Sequence, residues 1–329
     1  MKLLFELSME CESLARSEAK AVASIMDADP RVVAEDDGIL VLETCADPER
    51  LVDRLALCHH VSEFKGSCDL AEIDALAEAT DVEGPIRVRA TKVGLPKAGL
   101  DLQDMSRRIG GIIGKGRGVD LHSPRSELRI VSSRRLYLGR LIGSIDRPSF
   151  EKRKNRYLPF NYPISVHPKF ARAMVNLTRV RDGGNVLDPF CGTGAIVTEA
   201  ALAGLNAMGS DLSEDMISGA KQNLAHLGVG AEFFVCDVGH LKDVVGPVDG
   251  IATDPPYGRS TSTNGESLDS LYARSVASFG EILEKGARVV LAKPDESMIS
   301  SVEGFASVET HPLWVHRSLT RHFSILERL

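Results

Sequence analysis

The chain has 329 residues, 43% of them hydrophobic and 26% charged, and a formal net charge of -7. This length suggests two domains, and the composition is that of a folded globular protein and excludes a largely disordered chain. No apolar stretch approaches the ~18 residues of a membrane span, and the opening apolar run, 2–7, is too short for a secretory signal, so we expect a cytoplasmic protein without a membrane partner.

Charge is distributed unevenly along the chain. Residues 1–84 contain 7 Lys and Arg against 20 Asp and Glu, residues 85–160 contain 18 against 6, and residues 161–329 contain 14 against 20. A strongly basic stretch inside an acidic protein is typical of a surface that binds phosphate groups, although a solvated charged face has the same composition. The candidates for contact with phosphate, which lie in or beside the glycine-rich part of this stretch, are Arg107, Arg108, Lys115 and Arg117.

The first half of the sequence predicts an α/β unit. A strand at 2–7 is followed by a helix at 10–26, in which Leu14, Val22 and Met26 recur at helical spacing. The other predicted elements of this half are a strand at 38–42, helices at 48–57 and 69–79, and strands at 86–90, 128–131 and 136–142.

The six cysteines are scattered and form no CxxC pair. The sequence therefore predicts neither a zinc ribbon nor a disulfide framework, and we expect reduced thiols. Cys58, His59, His60 and Cys68 could be drawn as a metal site, but their spacing fits no common ligand pattern and ordinary packing explains them. We predict no metal.

Residues 146–166 are the candidate linker, because 146–163 contain three prolines and no clear periodicity. From Pro168 onward helices alternate with strands. After a first helix, the predicted strands are 185–190, 206–210, 231–235, 249–253 and 287–291, and the predicted helices are 195–203, 214–226 and 268–283. This alternation predicts a Rossmann-like parallel sheet that is covered by helices on both faces.

An acidic residue and a glycine turn lie where the first of these strands meets its helix, in residues 188–194 (DPFCGTG). Gly192 and Gly194 let the backbone approach a ligand closely, as a nucleotide-like cofactor requires. A dinucleotide-binding fingerprint would need a third glycine near Val197, so the turn alone is weak evidence for a particular cofactor.

Two more acids, Asp211 and Asp237, end the next two predicted strands. The carboxyl ends of parallel strands form one edge of a sheet, where α/β folds bind ligands, and a carboxylate there can accept hydrogen bonds from both hydroxyls of a ribose. An aspartate at a helix start is also a common N-cap, and for either residue alone capping explains its position equally well.

The motif Asp254-Pro255-Pro256-Tyr257-Gly258 follows the fourth strand and indicates a specific chemistry. An aromatic amino group such as guanine N2 is a poor nucleophile, because its lone pair is delocalised into the ring. The Asp254 carboxylate and the Pro255 carbonyl can accept hydrogen bonds from the two hydrogens of the amino group, which directs its lone pair at a sulfonium methyl group. Tyr257 can stack on a flipped-out base. The alternative is a rigid proline turn without chemistry.

With these motifs, residues 185–258 resemble the S-adenosylmethionine domain of Rossmann-like class I amino-methyltransferases. Residues 163–177 and 316–321 (HRSLTR) resemble the archaeal tRNA (guanine-10-N2)-methyltransferase and dimethyltransferase family, and residues 86–144 resemble the core of its RNA-binding THUMP domain. The resemblance implies an N-terminal α/β RNA-binding region at 1–145, with a ferredoxin-like part at about 1–45 and a THUMP domain at about 46–145, and then a linker at 146–166 and a methyltransferase domain at 167–329.

By this resemblance the chain is an enzyme that transfers one or two methyl groups from S-adenosyl-L-methionine to N2 of the guanine at tRNA position 10, with tRNA as its partner and no obligatory protein partner. Asp254, Pro255 and Tyr257 would be catalytic. The residues expected to bind the cofactor are His167, Asp188, Cys191, Gly192, Thr193, Gly194, Asp211, Leu212, Asp237 and Val238. His167 could equally cap the helix that starts at Pro168.

Two other functions compete with this one. A DNA or protein amino-methyltransferase shares the cofactor scaffold and a related Pro-Pro-aromatic motif, but the basic stretch in a compact first half, and Asp rather than Asn before the prolines, favour a guanine-N2 enzyme. A tRNA-binding protein that has lost activity would have a broken DPPY or Gly-x-Gly motif, and both are intact here.

Overall fold

In a computed structural model the chain divides into two units, Met1–Ile145 and Asp146–Leu329. The structure describes residues 1–94, 99–162, 165–257, 265–295, 303–317 and 319–329. Each unit is built on its own seven-stranded sheet with helices packed against it, so the α/β class predicted from the sequence is confirmed.

The first unit is a largely antiparallel sheet with helices. Its strands and α-helices are, in chain order, β1 (Lys2–Leu7), α1 (Glu12–Met26), β2 (Arg31–Asp36), β3 (Ile39–Glu43), α2 (Pro48–Arg54), β4 (Cys58–Cys68), α3 (Ile73–Glu78), β5 (Ile86–Lys92), α4 (Leu102–Ile113), β6 (Ser126–Ser132) and β7 (Leu136–Ser144). The strand order is β2-β3-β1-β4-β7-β6-β5, and only β5 and β6 are parallel neighbours. Because β1 pairs with β4, residues from the first 45 positions and from the following hundred share one sheet.

The sequence pattern does not predict three elements of this unit, β2, β4 and α4. β2 is an edge strand with exposed Val32 and Val33, so it lacks the alternation of a half-buried strand. β4 has a polar sequence and is held by ladders to β1 and β7 on its two sides. α4 contains part of the glycine-rich stretch, and there Gly110 packs towards Val88 of β5, where an added Cβ would make an ordinary contact at 3.8 Å.

Opposite charges that are separated along the sequence meet in this unit. Arg129 Nη2 donates to Glu6 Oε2 at 2.8 Å, and both side chains are buried. Many other basic residues of the 85–160 stretch form ion pairs with acids: Arg87 and Arg89 with Glu127, Arg108 with Asp74, Arg117 with Asp81, Arg125 with Glu83, Arg134 with Asp37, and Arg140 with Glu63. The basic excess of the sequence is therefore partly offset by neighbouring carboxylates.

The second unit has the strand–helix alternation predicted from the sequence. Its elements are α5 (Arg147–Lys152), α6 (Pro168–Leu177), β8 (Asn185–Asp188), α7 (Ala195–Leu202), β9 (Asn206–Asp211), α8 (Glu214–His226), β10 (Glu232–Val235), α9 (Leu241–Val244), β11 (Val248–Thr253), α10 (Leu268–Ile282), β12 (Leu283–Lys293), β13 (Phe305–His316) and β14 (Leu319–Arg328). The strand order is β10-β9-β8-β11-β12-β14-β13.

The five strands predicted from the sequence are parallel, and the sheet has two further strands that the sequence does not predict. β10, β9, β8, β11 and β12 are parallel, but β14 is antiparallel to β12, and β13 forms an antiparallel hairpin with β14. No local pattern indicates β13 in the sequence, because it is an edge strand with a mixed exposure pattern. The sheet is therefore mixed, with the hairpin at one side.

The predicted linker segment contains α5 and makes side-chain contacts within the second unit. Arg153 Nε donates to the buried Glu199 at 2.7 Å, and Arg172 of α6 donates to the same carboxylate at 3.1 Å. The backbone of Phe160 exchanges two hydrogen bonds with the Asn223 side chain, at 2.9 and 2.8 Å. These contacts anchor the segment to α7 and α8.

No helix in the described part of the chain is long and apolar enough to cross a membrane.

Candidate active site

Four aspartates lie at one edge of the sheet in the second unit. Asp188 and Asp211 end β8 and β9, and Asp237 and Asp254 follow β10 and β11. These four strands are parallel neighbours, so their carboxyl ends meet at the same edge. This is the edge at which open α/β sheets bind ligands.

The glycine turn between β8 and α7 is shaped by two glycines with positive φ. Gly192 has φ +48°, and an added Cβ there would meet no atom within 4 Å, so the backbone faces open space. Gly194 has φ +86°, and an added Cβ would lie 3.0 Å from Leu224, so glycine also permits close helix packing. The side chains of Cys191 and Thr193 are buried, so the turn presents mainly its backbone.

Asp211 connects this turn to the start of α8. Its Oδ2 accepts from Gly192 N at 3.0 Å, and its Oδ1 accepts from Ser213 N at 2.9 Å. Asp237 caps a short 3-10 helix by accepting from Gly239 N at 2.8 Å, and it also pairs with Arg274 of α10. Asp237 thus has the capping role considered in the sequence analysis, whereas the N-cap of α8 is Ser213 and Asp211 bonds to the loop before it.

Two exposed apolar side chains flank these acids. Leu212, directly after Asp211, is 54% exposed, and Val235, the register partner of Asp211 on β10, is 53% exposed. Val238 differs, because its side chain packs in the hydrophobic core and only its backbone can reach a ligand. Leu212 and Val235 therefore offer an uncovered apolar surface beside a carboxylate.

Asp188 lies beneath the edge rather than on it. It is almost wholly buried, and its Oδ1 accepts from Thr253 Oγ1 at 2.7 Å and from Phe190 N at 3.1 Å. Burial raises the pKa of Asp188 to about 7, since the ionised carboxylate has lost its hydration, and the two hydrogen bonds only partly offset this cost.

Asp254 forms a cluster with Tyr257 and Arg321. The Tyr257 hydroxyl donates to Asp254 Oδ1 at 2.6 Å, Arg321 Nη2 lies 3.3 Å from Asp254 Oδ2, and Arg321 Nε donates to the tyrosine oxygen at 3.0 Å. Burial raises the pKa of Asp254, whereas the Arg321 charge and the tyrosine hydrogen bond lower it. The Tyr257 hydroxyl thus contacts the carboxylate that the sequence analysis assigns to the substrate. Gly258, the last residue of the motif, lies outside the described residues.

Arg321 and Tyr272 of α10 are not among the site residues predicted from the sequence. Arg321 is the last residue of the HRSLTR segment, which the family resemblance marks but whose local pattern does not indicate a contact with Asp254. The Tyr272 hydroxyl is buried and has no hydrogen-bond partner among the described residues, and burial and the nearby Asp254 charge raise its pKa.

His167 caps α6, as the sequence analysis considers. Its Nδ1 accepts from Lys169 N at 3.2 Å, and its Nε2 lies 3.0 Å from Glu151 Oε1. Both ring nitrogens thus have protein partners. Pro163 and Ile164, at the start of the same resemblance segment, lie outside the described residues.

The four candidate RNA-binding residues lie in the first unit, on α4 and just after it. Arg107, Arg108 and Lys115 are exposed. Arg108 lies 3.2 Å from Asp74 and Arg117 3.1 Å from Asp81, and Arg107 lies 3.5 Å from Asp104. Surface ion pairs of this kind contribute at most about 1 kcal/mol, so a phosphate can replace the carboxylate partner.

The described residues contain no group of three or more His, Cys, Asp or Glu side chains that could hold a metal ion. The described cysteines are all free thiols.

Comparison with known proteins identifies the family. Residues 155–322 match the family model described as "UPF0020: RMKL-like, methyltransferase domain". The chain is 34% identical to the tRNA (guanine(10)-N2)-dimethyltransferase of Methanothermobacter thermautotrophicus, with 100% of both chains covered. It is also 34% identical to the protein of that name from Pyrococcus abyssi, with 95% of this chain and 96% of that protein covered.

A crystal structure of TrmN from Thermus thermophilus has the same fold, with a TM-score of 0.58 and 23% identity over 100% of both chains. Since 34% identity to the Methanothermobacter protein extends over the whole length of both chains, this chain belongs to the tRNA (guanine(10)-N2)-dimethyltransferase family.

Proposed function

We propose that this chain is an S-adenosylmethionine-dependent enzyme that transfers one or two methyl groups to N2 of the guanine at position 10 of tRNA. The observation that carries the proposal is the nearly buried Asp254 at the end of β11, with Tyr257 and Arg321 around it, in a chain whose full-length relatives are named for this reaction. The cytoplasm, where tRNA is available, is the compartment that we propose for it.

The residues at the sheet edge fit S-adenosylmethionine. The open space in front of Gly192 allows a ligand to approach the backbone, and the Asp211 carboxylate beside it can accept from ribose hydroxyls. Leu212 and Val235 offer their exposed apolar surfaces to the adenine ring. When bound, the cofactor supplies an electrophilic methyl group on a sulfonium centre.

We propose that Asp254 receives the guanine amino group in place of the tyrosine hydroxyl. The hydroxyl donates to Oδ1, so the amine gains this acceptor when Tyr257 turns away to stack on the base. The Pro255 carbonyl accepts a hydrogen bond from the second hydrogen of the amine, and the nitrogen lone pair then points at the methyl group. Arg321 favours the ionised state of Asp254, in which both carboxylate oxygens accept hydrogen bonds.

A second methyl transfer requires only one amine hydrogen. The monomethylated amine keeps one hydrogen, which Asp254 or Pro255 can accept, and the same orientation of the lone pair follows. We therefore propose that the site is chemically competent for both transfers, as the name of the full-length relatives describes for those proteins.

We propose that the first unit binds the tRNA through a THUMP-type surface that includes α4. The exposed Arg107, Arg108 and Lys115 support this role, because their ion-pair partners, where they have them, are weakly held surface carboxylates.

The test is methylation of an unmodified tRNA transcript by the purified protein with labelled S-adenosylmethionine, followed by nucleoside identification. The expected product is N2-methylguanine or N2,N2-dimethylguanine at position 10, and Asp254→Ala should abolish it. Asp215→Ala, an exposed aspartate in the first turn of α8, is the matched control and should retain activity. Methylation at another tRNA position would contradict the assignment to position 10. Cofactor binding without tRNA methylation would favour a DNA or protein substrate.

A further inference from the structure

The hairpin of β13 and β14 extends past the end of β12 at the candidate active site. The last residue of β12, Lys293, pairs with His322, so residues 319–321 and their partners on β13 lie beyond the β12 ladder. The parallel strands end at the same edge, where Asp254 follows β11. The free end of the hairpin is therefore next to the reacting carboxylate.

The two faces of this extension have different environments. Leu313 is the register partner of Arg321, both side chains are buried, and Arg321 contacts Asp254. Trp314 is the partner of Thr320 and, because side chains alternate along a strand, it lies on the opposite face. Backbone spacing places the Cα atoms of Trp314 and Arg321 roughly 6 Å apart, with their side chains on opposite faces of the hairpin.

Trp314 is the single tryptophan of the protein and is 70% exposed. A large aromatic side chain left uncovered on an edge strand has no packing role in the described structure and marks an interaction surface. Residues 310–325 contain no Asp or Glu but include Arg317 and Arg321, in a unit that is acidic overall. Arg317, three positions after Trp314 in the chain, is also exposed, so the end of the hairpin carries an aromatic side chain and a positive charge.

We propose that Trp314 stacks on a nucleobase of the substrate RNA next to the methylated guanine, and that Arg317 contacts the adjoining phosphate. The inference rests on the proposed function and adds a substrate contact on the methyltransferase unit itself. An aromatic face accepts any base, and a neighbouring cation fits the backbone, so the combination selects unstacked RNA rather than an apolar protein surface. The contact holds open the strand from which the guanine is taken.

The sole tryptophan makes this contact directly measurable by fluorescence. Titration with tRNA should quench Trp314 emission and reduce its accessibility to acrylamide, whereas S-adenosylmethionine alone should change neither. Trp314→Ala should raise the KM for tRNA between about 5-fold and 150-fold, the range that corresponds to loss of one stacked base, without a comparable rise in the KM for the cofactor. Trp314→Phe keeps an aromatic face and should restore most of the tRNA affinity.

Leu202→Ala is the matched control, because Leu202 is an exposed apolar residue at the end of α7 that is far from the four aspartates. The KM values of this variant for tRNA and cofactor should not change. Unchanged Trp314 emission in a protein that is methylating saturating tRNA would overturn this inference alone. Emission that depends on protein concentration without RNA would also overturn it, since the surface would then join two copies of the chain. A protein that neither binds nor methylates tRNA would overturn the proposed function as well.

Discussion

Arg321 Nη2 lies 3.3 Å from Asp254 Oδ2, although the two residues are 67 positions apart and come from strands that are not neighbours in the sheet. The same guanidinium donates to the Tyr257 hydroxyl at 3.0 Å. Burial alone would favour a protonated Asp254, and the arginine opposes that effect. The last strand thus adjusts the ionisation of a carboxylate at the end of β11.

Replacement of Arg321 by Met should lower kcat by on the order of 100-fold, as expected when one preorganised electrostatic contact is removed. The pKa of Asp254 should rise because the positive charge of Arg321, which lowers it, is lost. The acidic limb of the pH–rate profile should therefore move to higher pH. Arg321→Lys should restore part of the shift. Arg328→Met, on the same strand but bonded to the Gly304 carbonyl, is the control, and an equal shift in that variant would contradict the assignment.

Replacement of Tyr257 by Phe and by Ala should have different effects. Phe keeps the ring for stacking and removes the hydroxyl that competes with the substrate amine for Asp254 Oδ1, so kcat should stay within about tenfold of the wild type. Ala removes the stacking surface and should raise the KM for tRNA, because about 1–3 kcal/mol of binding free energy from base stacking is lost. Steady-state kinetics with both substrates distinguishes them. Equal loss in the two variants would show that the hydroxyl itself is required.

The buried Asp188 predicts a pH-dependent stability. Its folded pKa is about 7, above the usual value of 3.8, so the folded state binds more protons than the unfolded state between these values. Its contribution to the free energy of unfolding is therefore full below pH 4 and is lost as pH rises to about 7. The loss is on the order of 4 kcal/mol at 1.36 kcal/mol per unit of pKa.

Asp188→Asn removes this titration and can keep the hydrogen bond from Thr253. Denaturant unfolding should show the variant more stable than the wild type at pH 8, and the difference should shrink towards pH 4.5. Asp215→Asn, an exposed aspartate, should show no such trend. A difference for Asp188→Asn that is constant over this pH range would contradict the buried, protonated carboxyl.

The α4 surface predicts a change in the salt dependence of tRNA binding. Each phosphate contact contributes a slope of about 0.7–0.9 in log Kd against log salt, so neutralising Arg107, Arg108, Lys115 and Arg117 together should reduce the slope by about 3. Arg108→Gln alone should reduce it by about 1. Arg31→Gln is the matched control, because Arg31, the first residue of β2 at the other edge of that sheet, forms a similar exposed ion pair with Asp29. An unchanged slope in the quadruple variant would exclude α4 from the RNA-binding surface.

The predictions that succeeded from sequence depend on patterns within a few residues. Helical spacing of apolar residues places α1 and α8 almost to the residue, and the glycine turn and the four aspartates lie at the ends of the strands where the alternation places them. Periodicity and turn chemistry are local, so a single sequence contains them.

The hairpin and its contacts required the tertiary structure. β13 and β14 pair with each other and with β12 through long-range ladders, and no local period marks an edge strand that is partly exposed on both faces. The same is true of β4, which is polar in sequence and stable only between β1 and β7.

The sequence by itself determined the fold class, the strand ends that carry the four aspartates and the Asp254 motif, because each follows from residues that are near one another in the chain. Only the tertiary structure decided that Arg321 contacts Asp254, that the Tyr257 hydroxyl donates to this carboxylate, and that acids from the first 84 residues pair with several arginines of the basic stretch. These are contacts between distant segments, and their energies depend on burial and distance, which a linear pattern of charges does not contain.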